Sequence, residues 1–201
     1  MSDAKGRQAK LIIDAAIALF KARGYENVSV NDICTKAGIA RSTFYLTFSG
    51  KKDIIAKMLS NVRLNQDEFF SDFITAKNDF ERMWIICCRY LDVAEANGPE
   101  VTGALLRLDL QGELDILDQV HSVDEWFVQL TSNCQHAGVM RSDESPEALS
   151  ALGVDIAFYT TYEWCRCKGA FRLKPRVRRR AEAVYAVAEE LRMSEDELSR
   201  L

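Results

Sequence analysis

Apolar residues recur at three- and four-residue intervals along nearly the whole chain, and no polar–apolar alternation runs longer than four or five residues. That spacing predicts helices almost throughout. The first spans Ala9 to Arg23, with Ile12, Ala15, Ala16, Leu19 and Phe20 on one stripe and Gly24 at its stop. A second starts after Ser29, a good N-cap with Asp32 three residues on. It ends at Ala37-Gly38, where glycine tolerates the left-handed exit. Ile39 plugs between it and a third helix, Arg41 to Phe48. There Phe44 and Phe48, four residues apart, face the core, while Arg41, Ser42 and Thr43 fill the first turn and Tyr45 a neighbouring face. A short helix that packs by two Phe and presents small polar and basic groups suits the major groove.

Lys51-Lys52-Asp53 opens a fourth helix running to about residue 75, apolar along Ile54, Ile55, Met58, Leu59 and Val62. A fifth covers Asp79 to Asn97 until Asn97-Gly98-Pro99 breaks it, and Pro99 opens a sixth that ends near Leu110. Glu113 to Ala137 follows, with Leu117, Val120, Val123, Trp126, Phe127 and Leu130 largely inward. After a polar linker, Ser145-Pro146-Glu147 starts a helix to about Lys168-Gly169. A last long helix is expected from Pro175 to Arg192, and Ser194 with Glu197 signals a short terminal one. Arg176, Arg178, Arg179 and Arg180 oppose the dipole at the start of the last long helix, so acidic partners or water must favour them. A solvated face is the expectation; a nuclear-localisation or second DNA-contact run is the alternative.

Charge sharpens this division. The net charge is -4, yet residues 1–65 carry eleven Lys/Arg against five Asp/Glu, residues 66–140 four against fourteen, and residues 141–201 eleven of each. A basic head on an acidic body fits a head that meets phosphate. Lys5, Arg7 and Lys10 read equally as a backbone-contacting arm or as a solvated terminus. No apolar run approaches the roughly 18–20 residues that span a membrane, and the first ten residues lack a signal peptide's apolar segment. A cytoplasmic protein without membrane contact is expected. The six cysteines are expected to be reduced, buried thiols; no C-x-x-C pair exists, and neither Cys165-x-Cys167 nor Cys134-x-His136 suits a metal. No metal and no cofactor are expected. A redox switch at Cys87-Cys88 or Cys165/Cys167 requires an exposed, electropositive thiol. Nucleophile-elbow, P-loop and dinucleotide motifs are absent, and the histidines are only His121 and His136. An enzyme is not expected.

The run Ile12 to Leu59 resembles the DNA-binding domain of the tetracycline-repressor (TetR) family of bacterial transcription regulators. The matching elements are Ala15-Ala16, Leu19-Phe20, Gly24-Tyr25, Ser29-Val30, Ile33, Ala37-Gly38-Ile39, Thr43-Phe44-Tyr45, Phe48 and Lys51. Cys34 and Ala40 stand where such proteins usually have Ala and Ser, Thr47 replaces a frequent His, and Ser49-Gly50 fill a variable loop. Ala40 forfeits an N-cap typically worth about 1 kcal/mol.

The resemblance implies an all-α protein. Residues 1–50 would form a three-helix, helix-turn-helix head, 51–75 a connecting helix, and 76–201 a helical ligand-binding and dimerisation body. Its DNA-binding residues would be Ser29, Arg41, Ser42, Thr43, Tyr45, Thr47 and Lys51, with Lys51 near the backbone and Arg41 either reading guanine or holding phosphate. It implies a homodimer on a double-stranded operator, paired through the last two long helices. Leu149, Leu152, Ile156, Tyr159 and Tyr162/Glu163 form one stripe there, and Val184, Val187, Ala188 and Leu191 another; both could instead serve a monomer core, but readout of two half-sites favours the dimer. A small, mostly apolar effector would meet Trp84, Cys87, Cys88, Tyr90, Leu91, Leu105, Trp126, Phe127, Leu130, Phe158, Tyr159 and Tyr162, oriented by a polar group among Arg89, Asp109, Gln119, His121 and Asp155. The expected function is a regulator, most often a repressor, that the effector shifts away from half-site spacing. The alternative is a DNA-binding adaptor whose body docks proteins.

Overall fold

The computed structural model describes residues 2–60, 66–114 and 124–201, and among them there is no strand. The helices are α1 (Ser2–Arg23), α2 (Val30–Ala37), α3 (Arg41–Tyr45), α4 (Lys51–Ser60), α5 (Gln66–Thr75), α6 (Asp79–Leu110), α7 (Asp124–His136), α8 (Pro146–Arg166), α9 (Leu173–Val184) and α10 (Glu195–Leu198), with a 3-10 turn at Glu189–Leu191. Val62, the start of the expected Glu113–Ala137 helix with Leu117, Val120 and Val123, and the candidates Gln119 and His121 lie outside the described residues.

Two compact units emerge, one of residues 1–63 with 97–114, the other of 64–96 with 115–201. This differs from the boundaries expected from the sequence, because the second half of α6 groups with the head. Gly98 (φ 80°, ψ 164°) breaks the helical backbone inside α6 just before Pro99, the break that the Asn-Gly-Pro run predicts.

In the first unit Ile12, Ala16, Phe20, Val28, Ile33, Phe44, Ile54 and Ile55 are buried, and so are Val101, Ala104 and Leu105. Ion pairs within the unit join Arg107 to Glu26 (3.5 Å) and Lys52 to Glu113 (3.1 Å).

The second unit has two packed clusters. Phe80, Met83, Leu130, Cys134, Met140, Leu149, Tyr185 and Val187 form one; Trp84, Leu91, Ala94, Ala157, Trp164, Leu173 and Val177 form the other. Helix α8 starts as expected, with Pro146 in the first turn and the Ser145 hydroxyl accepting from the Ala148 amide at 3.2 Å. The last long helix does not run to Arg192. It ends at Val184, because Ala186 turns left-handed (φ 47°). That conformation costs an L-residue about 1–2 kcal/mol. The turn in exchange buries Val187, worth roughly 1.5–3 kcal/mol, together with the Tyr185 ring. It also lets the Arg141 amide donate to the Tyr185 carbonyl (2.8 Å) and the Ala188 amide to the Val139 carbonyl (3.0 Å). Burial outweighs strain. The expected stripe Val184, Val187, Ala188 and Leu191 is therefore not a helical stripe: Val187 is core, and Leu191 packs beside it.

Candidate nucleic-acid interface

Helix α2 is held at both ends by local chemistry. The Asp32 amide donates to the Ser29 hydroxyl (3.1 Å), and the Ser29 amide donates back to the Asp32 carboxylate (2.8 Å). The Ser29 hydroxyl, which also donates to the Asp32 carboxylate, and after it the Ser29 amide hold Asp32 below the usual carboxylate range. At the far end Gly38 is left-handed (φ 66°), its amide donating to Thr35 and the Ile39 amide to Cys34. The chain thereby leaves α2 at a fixed angle and enters α3.

Helix α3 has one regular turn, shorter than the expected Arg41 to Phe48. Ala40 supplies no side-chain cap. Phe44 and Phe48 are buried with ring centroids 6.0 Å apart, which fixes the rotation of the segment. Arg41, Ser42, Tyr45 and Leu46 are exposed; Thr43 and Thr47 are half-buried. The Arg41 guanidinium donates to the Tyr45 hydroxyl (3.5 Å) and sits 5.9 Å from that ring's centroid, a contact that raises its already high pKa.

Two of the expected DNA-binding residues have other duties in this DNA-free chain. The Ser29 hydroxyl caps α2. The Lys51 ammonium donates to the Tyr25 carbonyl (2.7 Å) and lies 4.4 Å from the Tyr25 ring centroid. Partial burial lowers the Lys51 pKa, Glu26 opposing, and burial raises that of Tyr25 with help from Glu26 and Glu113. Leu46, exposed beside Arg41, Ser42 and Tyr45, is not among the residues that the sequence pattern singles out, since it has no polar or charged group. The rotation of the segment about its buried Phe pair is the signal that finds it.

In the body, the expected effector-lining residues fall in separate places. Trp84 and Leu91 belong to one cluster, with Cys88 and Tyr90 against it; Leu130 belongs to the other, with Phe127 against it. Phe158 is half-buried, while Trp126 (63% exposed), Tyr159 (62%) and Tyr162 (45%) face outward. Leu105 is buried in the first unit. Helical periodicity assigns each of these rings to a face, and what covers that face is decided by other elements.

The arginine run is a solvated face only in part: Arg179 is exposed and Arg176 and Arg180 are half-buried, but Arg178 is enclosed. Arg178 is fully buried, donating to Glu182 (2.6 Å) and to both Glu81 oxygens (2.7 and 3.3 Å). Arg180 reaches Glu163 and the Thr160 hydroxyl, Arg176 reaches Glu163, and Arg179 pairs with Glu195. Acidic partners offset the dipole. Burial pushes the Cys87 and Cys134 thiols up to about 12 and Cys88 higher still, which sets the Cys87-Cys88 pair against the thiolate that a redox switch needs, while Cys167 is exposed. Among the described residues no metal-binding cluster of His, Cys, Asp or Glu occurs, and no helix is long and apolar enough to cross a membrane.

Comparison with known proteins adds to this geometry. Residues 12–58 match the family model described as bacterial regulatory proteins, tetR family. The fatty acid metabolism regulator protein of Bacillus subtilis is 24% identical over 152 residues, covering 73% of each chain. The uncharacterized HTH-type transcriptional regulator YvdT of the same organism is 38% identical over 69 residues; that match spans 29% of this chain and only 36% of YvdT. Among solved structures, the regulator FadR from Bacillus subtilis in complex with stearoyl-CoA superposes with a TM-score of 0.67 at 19% identity, covering 88% of this chain and 97% of that one. NalD of Pseudomonas aeruginosa, the secondary repressor of a multidrug efflux pump, gives 0.62 at 16% identity, covering 94% and 100%.

Proposed function

We propose, from the premise that this chain belongs to the TetR family of bacterial transcriptional regulators, that it binds operator DNA as a homodimer and represses until a small effector releases it. The observation that carries the DNA-binding reading is the rotation of α3. Phe44 and Phe48 turn inward, and Arg41, Ser42 and Tyr45 turn out around the exposed Leu46 as a basic, mostly polar surface. Selection of duplexes from a random pool by the full chain, followed by footprinting, tests it. The expected product is a palindrome whose half-sites are read by two copies of α3, roughly 34–36 Å apart or a multiple of that. A pool that stays random after selection refutes the reading.

The dimer has its own support in α8, where Leu152 (40% exposed), Tyr159 and Tyr162 leave an apolar, aromatic strip uncovered. Aromatic anchors within a polar rim, here Glu163 with Arg176 and Arg180, are the usual composition of such an interface. Leu152→Arg is expected to give folded monomers by sedimentation, and folded dimers would place the seam elsewhere.

For the effector, the fatty-acid regulators among the relatives suggest an acyl chain with an anionic head. The second unit suits one: the Phe69 ring meets Phe70 edge-on and Phe73 at a tilt (5.6 Å between centroids in each pair), the Trp126 centroid lies 6.3 Å from that of Phe73, and the Arg89 guanidinium sits 5.2 Å from the Phe69 centroid. Release of the selected operator by stearoyl-CoA, with stearate and free coenzyme A as controls, is the test. No release by any of the three rejects this effector class.

A further inference from the structure

We infer that Leu46 is a specificity-determining residue, reading the 5-methyl group of a thymine in the major groove. The inference rests on the DNA-binding reading and adds to it an apolar base contact. Leu46 is 78% exposed, the most exposed of the large apolar side chains described. Its backbone is still helical (φ -73°, ψ -17°), and its amide donates to the Ser42 carbonyl at 3.2 Å, so the α3 rotation extends through it. At about 100° per residue, the buried Phe44 and Phe48 define one side of the segment. Leu46 then stands roughly diametrically opposite, further from the core side than Arg41 or Tyr45, with Ser42 one turn before it on the same face. A recognition helix seated by its two Phe thus aims Leu46 at the floor of the groove.

The chemistry there is selective. Leucine has no donor or acceptor for a phosphate or for a base edge. It does complement the thymine methyl, the apolar group of the major-groove edge. At 78% exposure Leu46 is left uncovered by the described residues. Its polar neighbours Arg41, Ser42 and Tyr45 hold the surrounding surface, so an apolar tip among them gains contact only when a base methyl meets it.

The experiment removes the methyl from the DNA rather than a group from the protein. Operators selected by the full wild-type chain are resynthesised with 2′-deoxyuridine in place of each thymine in turn, which keeps the hydrogen-bonding edge unchanged. Wild type and Leu46→Ala are titrated against the set. Burial of one methyl is worth about a fourfold change in affinity. Wild type should therefore lose about fourfold at one thymine per half-site, and Leu46→Ala should lose nothing further at that position. Because the side chain is exposed, Leu46→Ala should melt as wild type does. Equal uracil penalties in both proteins, no penalty at any thymine, or a half-site without thymine each overturns the Leu46 assignment while leaving operator binding intact. A pool that yields no operator overturns the DNA-binding reading and this assignment with it.

Discussion

Replacing Arg178 tests whether the second unit is built on a buried cation. The guanidinium is fully enclosed, with Phe80 and Trp84 centroids at 4.5 and 5.2 Å on its faces and Glu182 and Glu81 as acceptors. The Glu182 carboxylate also accepts the Met193 amide at 3.0 Å, so one cluster ties α6, α9 and the C-terminal segment together. Removing one member of such a buried set costs about 3–5 kcal/mol, because the remaining charges stay buried without compensation. Arg178→Met keeps most of the volume and the stacking on the rings, which isolates that electrostatic part. For a chain of this size the loss corresponds to a melting shift of roughly 10 °C or more. Arg178→Lys should fail almost as badly, since a point-like ammonium cannot hold Glu182 and Glu81 with a planar fork. All three tryptophans, Trp84, Trp126 and Trp164, lie in the second unit, so fluorescence-detected urea unfolding reports on that unit. Adding Glu81→Leu and Glu182→Leu to Arg178→Met removes the orphaned charges and should recover most of the loss. An Arg178→Met variant within 1 kcal/mol of wild type would refute the argument.

Three further outcomes follow from single contacts. Lys51→Ala loses the bond to the Tyr25 carbonyl and the ring contact; it should lower the head's stability by about 1–2 kcal/mol and leave the salt slope of operator binding unchanged, whereas a slope reduced by about one unit would show the ammonium on phosphate instead. Gly153→Ala would put a methyl 2.0 Å from the Tyr185 hydroxyl, so it should destabilise by about 1–3 kcal/mol by crowding despite alanine's better helix propensity. That hydroxyl is buried with no hydrogen-bond partner among the described residues, so Tyr185→Phe should raise stability in calorimetry by about 1–3 kcal/mol and should soften the Gly153→Ala loss. The raised thiols of Cys87 and Cys134 bind protons more tightly folded than unfolded, so their contribution is intact below the ordinary value of 9.0 and fades as pH rises toward about 12. Denaturant midpoints should fall across that window, and thiol labelling at pH 8 should reach Cys167 first; rapid labelling of Cys87 in folded protein would contradict the burial.

What was legible in the sequence was what neighbouring residues decide among themselves. Ser29 with Asp32, Gly38, the Phe44/Phe48 pair, the Gly98-Pro99 break, and the Ser145 and Ser194 caps each need no partner more than a turn or so away, and each stands where the pattern puts it. The misses share the opposite cause. Ala186 ends α9 without a glycine or proline, because Tyr185 and Val187 are drawn into a core that distant helices build. Glu81 lies 97 residues before Arg178, so a run of arginines that locally reads as solvent-facing becomes the most enclosed charge described in the second unit. Exposed Tyr159 and Tyr162 err in the other direction, being aromatic without being enclosed by this chain.

These misses also bear on how each unit is stabilised. The head rests on apolar burial plus caps, terms that periodicity and cap signatures describe well. The second unit adds a buried ion cluster with demanding geometry: three donor contacts from one guanidinium, two carboxylates and two aromatic faces must coincide. A register shift of either α6 or α9 would bury Glu81 or Glu182 without its cation, a penalty of several kcal/mol per orphaned charge. Leucine and valine stripes alone tolerate small slips at far lower cost. The cluster therefore contributes specificity of packing more than net stability. The triple replacement separates the two: recovered stability with broadened, heterogeneous side-chain NMR signals is the expected result, and sharp native-like signals would assign the specificity to the apolar stripes instead.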